Sequence, residues 1–239
     1  MKRGFAFLLI FTCLFCCEED YNLTFIERNK LYDDNAIIEI NIPEAQGNSV
    51  LAKAINFKIE HHIANTLNYT RTNVDSITIL EAIAKFDNEY LRFKSDFEES
   101  NLVWEATFDG EVMYQSSDII SIALSSYTNT GGAHGNSYIT FYNFDTTNGK
   151  ELELNQIIND IDTFTEIANT YFISKVNNNT SESIADYFYG KDFQLPENIG
   201  YNEEGLVLLY NTYEIASYAM GITEFTIPYS EIESLLLKH

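Results

Sequence analysis

Tyr127-Thr128-Asn129-Thr130-Gly131-Gly132-Ala133-His134-Gly135-Asn136 is the stretch from which the rest of the chain can be interpreted. It holds three glycines and a histidine, and on either side of it apolar and polar residues alternate as they do in strands. Because glycine reaches positive φ and lets two backbones approach closely, the stretch predicts a loop that joins a β-hairpin. We call residues 130–135 the glycine loop, and we expect at least one of its glycines to have a positive φ.

The segments on either side of the glycine loop predict an antiparallel sheet. Ile119 to Tyr127 precedes the loop and Tyr138 to Phe144 follows it, each with the two-residue period of a half-buried strand. We interpret Asp109-Gly110 as an upstream turn and Thr146 to Lys150 as a downstream one. One face of the strand that leads to Asp109 carries Leu102, Trp104, Ala106 and Phe108.

Two helices are predicted before this sheet. Ile38 to Ile42 alternates as a strand, and Asn48 or Ser49 can cap the helix that follows. The apolar stripe of this first helix consists of Leu51, Ile55, Ile59, Ile63 and Leu67. A second helix is predicted over residues 76–97. Its apolar residues are Leu80, Ala84, Phe86, Tyr90, Leu91, Phe93 and Phe97.

The second half of the chain predicts a further helix, a loop-rich stretch and two more strands. The helix carries a stripe of Ile161, Phe164, Ala168, Phe172 and Val176. The loop-rich stretch covers residues 177–202, the strands cover residues 205–210 and 223–227, and an amphipathic helix closes the chain at residues 229–237. Because strands and helices come in blocks, the fold class is predicted to be α+β. We predict an N-terminal strand-helix-helix-strand domain over residues 31–120 and a larger C-terminal domain, with an antiparallel sheet and flanking helices, over residues 121–239.

Residues 1–17 predict a lipoprotein signal peptide. Lys2 and Arg3 form a basic n-region, residues 5–15 are mostly apolar, and Leu14-Phe15-Cys16-Cys17 is similar to a lipobox. The apolar run is shorter than the roughly 20 residues that a membrane-spanning helix needs. We expect acylation of Cys17 to anchor the protein to a membrane. Simple secretion with an unmodified Cys17 is the alternative.

Residues 18–30 predict an acidic tether. It begins with Glu18-Glu19-Asp20, which resembles the surface-export signal of Bacteroidota lipoproteins and would place the protein on the outer membrane. A solvated linker with no role in export is the alternative. Signal cleavage would remove Cys13 and Cys16 and leave only the acylated Cys17. No disulfide, thiol nucleophile or cysteine-ligated metal is therefore expected.

The composition is strongly acidic. The chain has 14 Lys and Arg against 36 Asp and Glu, a net charge of −22, and loss of Lys2 and Arg3 with the signal peptide changes it to −24. Such a charge repels nucleic acid and anionic membrane surfaces and attracts cationic partners. Solubility alone is the alternative explanation. With 45% hydrophobic residues, the chain is a folded globular protein rather than an acidic disordered tail.

The candidate site residues lie in and beside the glycine loop: Tyr127, Gly131, Gly132, His134, Gly135 and Asn136. His134 has three possible roles, as a general base, as a partner contact or as a purely structural residue. Catalysis would need an orienting carboxylate and a nucleophile, which the spacing does not identify, so a hydrolase using His134 is kept as an alternative. The adjacent His61 and His62 do not suit one helical metal site. No cofactor and no metal are expected, because no phosphate loop, dinucleotide fingerprint or nucleophile elbow occurs.

Tyrosines are concentrated in the second half of the chain. Exposed tyrosines bind sugar rings or proteins, whereas others fill core and rim positions. The residues concerned are Tyr127, Tyr138, Tyr142, Tyr187, Tyr189, Tyr201, Tyr210, Tyr213, Tyr218 and Tyr229.

Together these motifs resemble a bacterial extracytoplasmic domain of unknown function. Its first part is similar to Tyr127 to Asn136, Asn143-Phe144-Asp145 and Gly149-Lys150-Glu151-Leu152. Its C-terminal signature is similar to Gly205-Leu206-Val207, the segment from Tyr213 to Gly221 (Y-E-I-A-S-Y-A-M-G) and Ile227-Pro228-Tyr229. The part before residue 120 resembles the smaller domain that commonly precedes it. This pair is similar to the lysozyme-sensing ectodomain of RsiV-type anti-sigma factors and to the N-terminal region of PdaC-type peptidoglycan deacetylases.

The resemblance implies an α+β fold whose larger domain is similar in topology to a heat-shock-cognate ATPase subdomain, without a nucleotide site. Sigma-factor control and deacetylation are not implied, because nothing in the chain is similar to the anti-sigma segment, its membrane-spanning helix or a deacetylase catalytic domain. The resemblance does imply binding by a lipoprotein of the cell envelope. The expected partner is a cationic lysozyme-like protein, and cell-wall glycan is the alternative.

Overall fold

The computed structural model describes residues 23–47, 49–68, 77–178 and 183–238. The predicted signal peptide, Cys17 and the start of the tether lie outside the described residues. The tether predicted for residues 18–30 overlaps the first strand, so the folded part begins earlier than the expected residue 31. No helix in the described ranges is both long and apolar enough to cross a membrane.

A five-stranded sheet forms the first half of the molecule. Its strands, in both sequence and spatial order, are β1 (Phe25–Tyr32), β2 (Ile37–Ala45), β3 (Glu105–Gln115), β4 (Ile119–Asn129) and β5 (Asn136–Asp145). Neighbouring strands are antiparallel except β2 and β3, which are parallel. A parallel pair needs a crossover connection. Helices α1 (Val50–Leu67) and α2 (Ile79–Asp96) lie in that connection and confirm the predicted strand-helix-helix-strand order.

Both crossover helices begin at side-chain caps. The Ser49 side chain accepts a hydrogen bond from the amide of Ala52, and Thr78 forms a capping box with Glu81. In α1 the predicted stripe faces the sheet, and its fully buried members are Ile55, Ile59, Ile63 and Leu67. The stripe is therefore confirmed, with Ser49 rather than Asn48 as the cap.

The prediction for α2 is confirmed at Phe86 and Tyr90 and wrong at Leu80, Ala84 and Leu91. Leu80, Ala84 and Leu91 are exposed, and the buried residues are Ala82, Ile83, Phe86 and Tyr90. The rings of Phe86 and Tyr90 lie 5.4 and 6.0 Å from the ring of Trp104. Because aromatic rings bury more apolar area than leucines, their contact with Trp104 determines which side of the helix turns inward.

Asp109 and Gly110 lie inside β3 and do not form the predicted turn. A Cβ atom on Gly110 would lie 2.7 Å from Cδ of Pro43 in the neighbouring strand β2. The glycine is thus needed for the close approach of two strands, which is a common reason for a glycine in a strand interior.

A second, three-stranded antiparallel sheet forms in the C-terminal half. Its strands, in spatial order, are β6 (Asn198–Tyr201), β7 (Gly205–Tyr210) and β8 (Thr223–Pro228). The helices of this half are α3 (Leu154–Ile157), α4 (Ile161–Asn177) and α5 (Tyr229–Ile232). The predicted stripe of α4 is confirmed at Phe164, Ala168, Phe172 and Val176, which are buried, and is wrong at Ile161, which is exposed.

Two features of this half were not predicted correctly. Strand β6 lies in the stretch that was expected to be a loop. It was not predicted because its four residues include Asn198 and Gly200, and asparagine and glycine are weak strand formers. The closing helix is shorter than predicted: α5 is followed by a single 3-10 turn over residues 233–235.

The two sheets contact each other on the face of the larger sheet that the helices do not cover. Phe141 of β5 packs with Val207 and Leu209 of β7 in a small buried cluster. The domain boundary expected at residues 120 and 121 falls within β4, so the five-stranded sheet continues across it. The predicted α+β class is confirmed.

Asparagine side chains occupy the free edge of β5. Asn211 accepts a hydrogen bond from the amide of Ile139 and donates one to its carbonyl, both at 2.8 Å. Asn198 accepts a hydrogen bond from the amide of Phe141 at 3.1 Å. An asparagine amide has the donor and acceptor of a peptide unit, so these side chains take the place of a neighbouring strand and protect the edge.

Candidate functional site

The glycine loop joins β4 to β5, as predicted. Its three glycine positions differ in whether they would tolerate a side chain. Gly131 has φ +95°, and a Cβ atom there would lie 2.9 Å from Cδ2 of Leu102. Gly135 faces the ring of Tyr127, which leaves no room for a Cβ atom. Gly132 has neither constraint. The prediction of a positive φ in this loop is therefore confirmed at Gly131.

A second loop, residues 211–221, meets the glycine loop. It contains Tyr213, which has φ +69° although it is not glycine, and Gly221 at φ +72°. The carboxylate of Glu214 accepts hydrogen bonds from the amides of Asn211 at 2.8 Å and Glu197 at 3.2 Å. Burial raises the pKa of Glu214, and these two amides act in the opposite direction.

A third loop, residues 187–190, holds the second in place. Phe188 and Tyr189 are consecutive residues with positive φ, at +57° and +52°. The Tyr189 hydroxyl lies 3.1 Å from the carbonyl oxygen of Tyr213 and 2.6 Å from that of Ala216, and it donates to this pair. Positive φ is costly for bulky residues, on the order of 1–2 kcal/mol each. The strain of three aromatic residues is thus concentrated where these loops meet.

The three loops present a group of exposed rings that we call the aromatic platform: His134, Tyr189, Tyr213 and Tyr218. The ring of His134 stacks on Tyr218 at 4.0 Å with an angle of 20°, and Tyr218 lies 5.6 Å from Tyr213. The relative exposures of Tyr189, Tyr213 and Tyr218 are 61%, 54% and 40%. Residues that are 79 positions apart in sequence, His134 and Tyr213, therefore share one surface.

His134 has the surroundings of a contact residue rather than those of a general base. Its Nδ1 lies 2.8 Å from the carbonyl oxygen of Gly135. A carbonyl only accepts, so Nδ1 carries the proton and Nε2 is the free acceptor. The Tyr213 hydroxyl is 3.5 Å from Nε2, too far for a strong hydrogen bond. No carboxylate within the described ranges hydrogen-bonds to this ring.

The other predicted site residues flank the platform. Tyr127 lies beneath Gly135, and Asn136 begins β5, paired with Thr128 across the hairpin. Tyr138 lies near Glu197 and Glu214, and burial followed by these two carboxylates raises its pKa. No three His, Cys, Asp or Glu side chains in the part of the chain that the structure describes are arranged to hold a metal ion.

Sequence reasoning missed the hydrogen-bonded histidine, which is His62. Its Nδ1 lies 2.7 Å from the hydroxyl of Tyr142, and its Nε2 lies 2.8 Å from Oγ of Ser126. Burial, and then the charges of Lys58 and His61, lowers its pKa to about 4. Ser126 has an exposed fraction of only 4%, so no substrate reaches its hydroxyl. This trio joins α1 to β4 and β5 and is structural.

The chain matches two family models. Residues 29–137 match the model described as deacetylase PdaC, and residues 147–230 match the model described as protein of unknown function, DUF3298. The first region contains the second half of β1, strands β2 to β4 and the whole glycine loop, and the second contains the other two loops of the platform. No curated protein is similar enough to match the chain.

Two solved structures have the same fold. A member of the DUF3298 family from Bacteroides fragilis has a TM-score of 0.62 at 19% identity, covering 90% of this chain and 92% of that one. A DUF3298 family protein from Pseudomonas aeruginosa has a TM-score of 0.62 at 21% identity, covering 89% and 93%. The resemblance expected from the sequence is thereby confirmed. The chain carries the PdaC and DUF3298 domains in tandem, on the α+β fold of the DUF3298 structures.

Proposed function

We propose that this protein is a non-catalytic binding domain of the cell envelope whose partner is a cationic, lysozyme-like protein. The observation that carries the proposal is the aromatic platform, in which strained backbone holds tyrosine rings outward. Strain of this kind is kept where a surface serves a ligand, because packing alone would favour ordinary angles. Tyrosine is also among the residues that supply most of the binding energy at protein interfaces.

The choice of a cationic partner rests on charge and on the resemblance to lysozyme-sensing ectodomains. A net charge of −22 raises the association rate with a basic protein by a factor on the order of 10 to 1000 at low salt. Affinity would come mainly from the rings of the platform, since each pair of charges exposed to solvent contributes at most about 1 kcal/mol to it.

A hydrolase using His134 is not supported by the geometry. The histidine with hydroxyl partners is His62, which is neutral and enclosed, whereas His134 has no described carboxylate to orient it. Cell-wall glycan is the second candidate ligand, because the exposed faces of Tyr213 and Tyr218 suit stacking on sugar rings. The net negative charge of the protein would not contribute to binding a neutral glycan, so this candidate leaves the acidic composition unexplained.

Titration of the purified protein with lysozyme and with peptidoglycan fragments, each at low and high salt, separates these candidates. Salt-sensitive binding to lysozyme alone is the expected result. Salt-insensitive binding to the fragments alone would replace the proposal by the glycan alternative, and binding to neither would contradict both.

The envelope location is a further part of the proposal and rests on the lipobox and the acidic residues after Cys17. Acylation would hold the protein on the outer membrane, with the domain facing outward. The expected result is that Cys17→Ser moves the protein from the detergent phase to the soluble fraction. Unchanged partitioning of that variant would contradict a lipid anchor.

A further inference from the structure

Half of one face of the five-stranded sheet is not covered by any described element. Helices α1 and α2 lie on one face, and the second sheet lies on the other face at β4, at β5 and at the C-terminal end of β3, where Met113 packs against it. Residues directly opposite in neighbouring strands share a face, which assigns the outward positions of β1 to β3. These are Glu27, Asn29, Leu31, Ile37, Glu39, Asn41, Pro43, Glu105, Thr107, Asp109 and Glu111.

This open face is acidic and lacks positive charge. Five of its positions are carboxylates, and no lysine or arginine occurs among the outward positions of these described strands. Arg28 of β1 lies instead on the face covered by the helices, where its guanidinium is 2.6 Å from the carboxylate of Glu60. On the open face, the side-chain amide of Asn41 donates hydrogen bonds to Asp109 and Glu39, at 3.0 and 3.2 Å.

A groove of about 350 Å³ is lined by residues of β1, β2 and β3. The outward residues Glu27, Asp109 and Glu111 line it, and Pro43 contributes apolar atoms to the same lining. A groove that combines apolar atoms with carboxylates suits a lysine or arginine side chain, whose methylene stem packs on apolar atoms while its charged end reaches carboxylates.

We propose that this open face is a second contact surface for the cationic protein partner, with a basic side chain of the partner in the groove. The proposal rests on the proposed function, because it uses the same partner. A second copy of this chain is a poor occupant, since it would bring five more carboxylates against the first five. The open face also leads toward the glycine loop: Glu105 pairs with Asn129, the residue before that loop.

The test compares two triple variants with the same change in net charge. Glu27→Gln, Asp109→Asn and Glu111→Gln together alter the groove, and Asp162→Asn, Glu166→Gln and Glu224→Gln together alter exposed positions elsewhere. At low salt the groove variant should bind lysozyme at least tenfold more weakly than wild type, and the control variant within about twofold. Equal losses would show that only net charge matters and would overturn the proposal.

A second probe separates failure of this proposal from failure of the proposed function. A ten-residue oligolysine peptide should bind the wild-type chain and the control variant alike and bind the groove variant at least tenfold more weakly. If lysozyme does not bind wild type but the peptide discriminates in this way, the proposed partner is wrong and the groove is a site for basic segments. If the peptide does not discriminate, the groove is not such a site.

Discussion

His62 and His134 have opposite surroundings. His62 has a hydroxyl at hydrogen-bond distance from each ring nitrogen, and its serine partner is buried. His134 is exposed, stacks on Tyr218 and lies among backbone held at positive φ. Good hydrogen bonds therefore mark a residue that stabilises the fold, while strained, exposed rings mark the surface we propose for binding. Changes at His62 should alter stability, and changes on the platform should alter binding.

The largest effect is expected from acid at His62. Its pKa in the folded state, about 4, lies below the ordinary value of 6.5. The unfolded chain therefore binds a proton in this interval that the folded chain does not. The contribution of His62 is fully present above pH 6.5 and is lost as the pH falls toward 4, by about 3 kcal/mol in total. Urea unfolding at pH 7 and pH 4.5 measures this loss.

The control for His62 is its neighbour. His62→Gln should lower stability at pH 7 and flatten the pH dependence between these two values, because the titrating group is removed. His61→Gln, with the ring of His61 stacked on Phe57 outside the trio, should keep most of the wild-type dependence, because the charge of His61 is the smallest of the three causes that lower the pKa of His62. Wild-type dependence in His62→Gln would assign the loss to general acidity, and equal flattening in both variants would contradict a specific role of the His62 ring.

A smaller effect on stability is expected in the glycine loop. The positive φ of Gly131 requires glycine, whereas Gly132 has no such constraint. Gly131→Val should cost about 1–2 kcal/mol, because an L-residue is strained at φ +95° and its Cβ would approach Leu102. Gly132→Ala should change stability by no more than about 0.5 kcal/mol, as at an ordinary surface position. Thermal melts that do not distinguish the two variants would contradict this difference.

The smallest effect on stability is expected at Tyr189, which connects two loops of the platform. Tyr189→Phe removes the hydroxyl that donates to the carbonyls of Tyr213 and Ala216, at a cost of about 1 kcal/mol. It should also loosen residues 211–221, which faster amide hydrogen exchange would detect. Tyr171→Phe, on α4 and outside the platform, is the matched control. If exchange in that loop is unchanged, the two carbonyls do not depend on Tyr189.

The sequence predicted the elements whose pattern is long and regular. The stripes of α1 and α4 and the strands around the glycine loop were predictable, because period and turn chemistry are local properties. The face of α2 was predicted only in part. Phe86 and Tyr90 were named and are buried, but the exposure of Leu80 was not foreseen, because the orientation of the helix depends on contacts of its aromatic rings with Trp104, outside the helix. The turn predicted at Asp109-Gly110 was wrong for the same reason. Gly110 is needed because Pro43 of the neighbouring strand β2 lies close to it, and the local sequence around Gly110 contains no sign of that contact.

The candidate site was predictable only in part. The glycine loop and the segment from Tyr213 to Gly221 were each singled out, but nothing local indicated that they touch. Their contact depends on the packing of the second sheet against β5, where Asn211 binds the backbone of Ile139. The positive φ of Tyr189 and Tyr213 was also hidden, because it is imposed by tertiary hydrogen bonds on residues that disfavour it.

The most direct test of the account is the affinity for lysozyme of a variant with both Tyr213→Ala and Tyr218→Ala. Loss of two anchors should weaken binding about thirtyfold or more, with little change in the unfolding midpoint because both rings are exposed. Phe57→Ala, which removes an exposed ring on α1, should leave the affinity within about twofold of wild type. Wild-type affinity in the double variant, or an equal loss in Phe57→Ala, would contradict the claim that the aromatic platform is the binding surface.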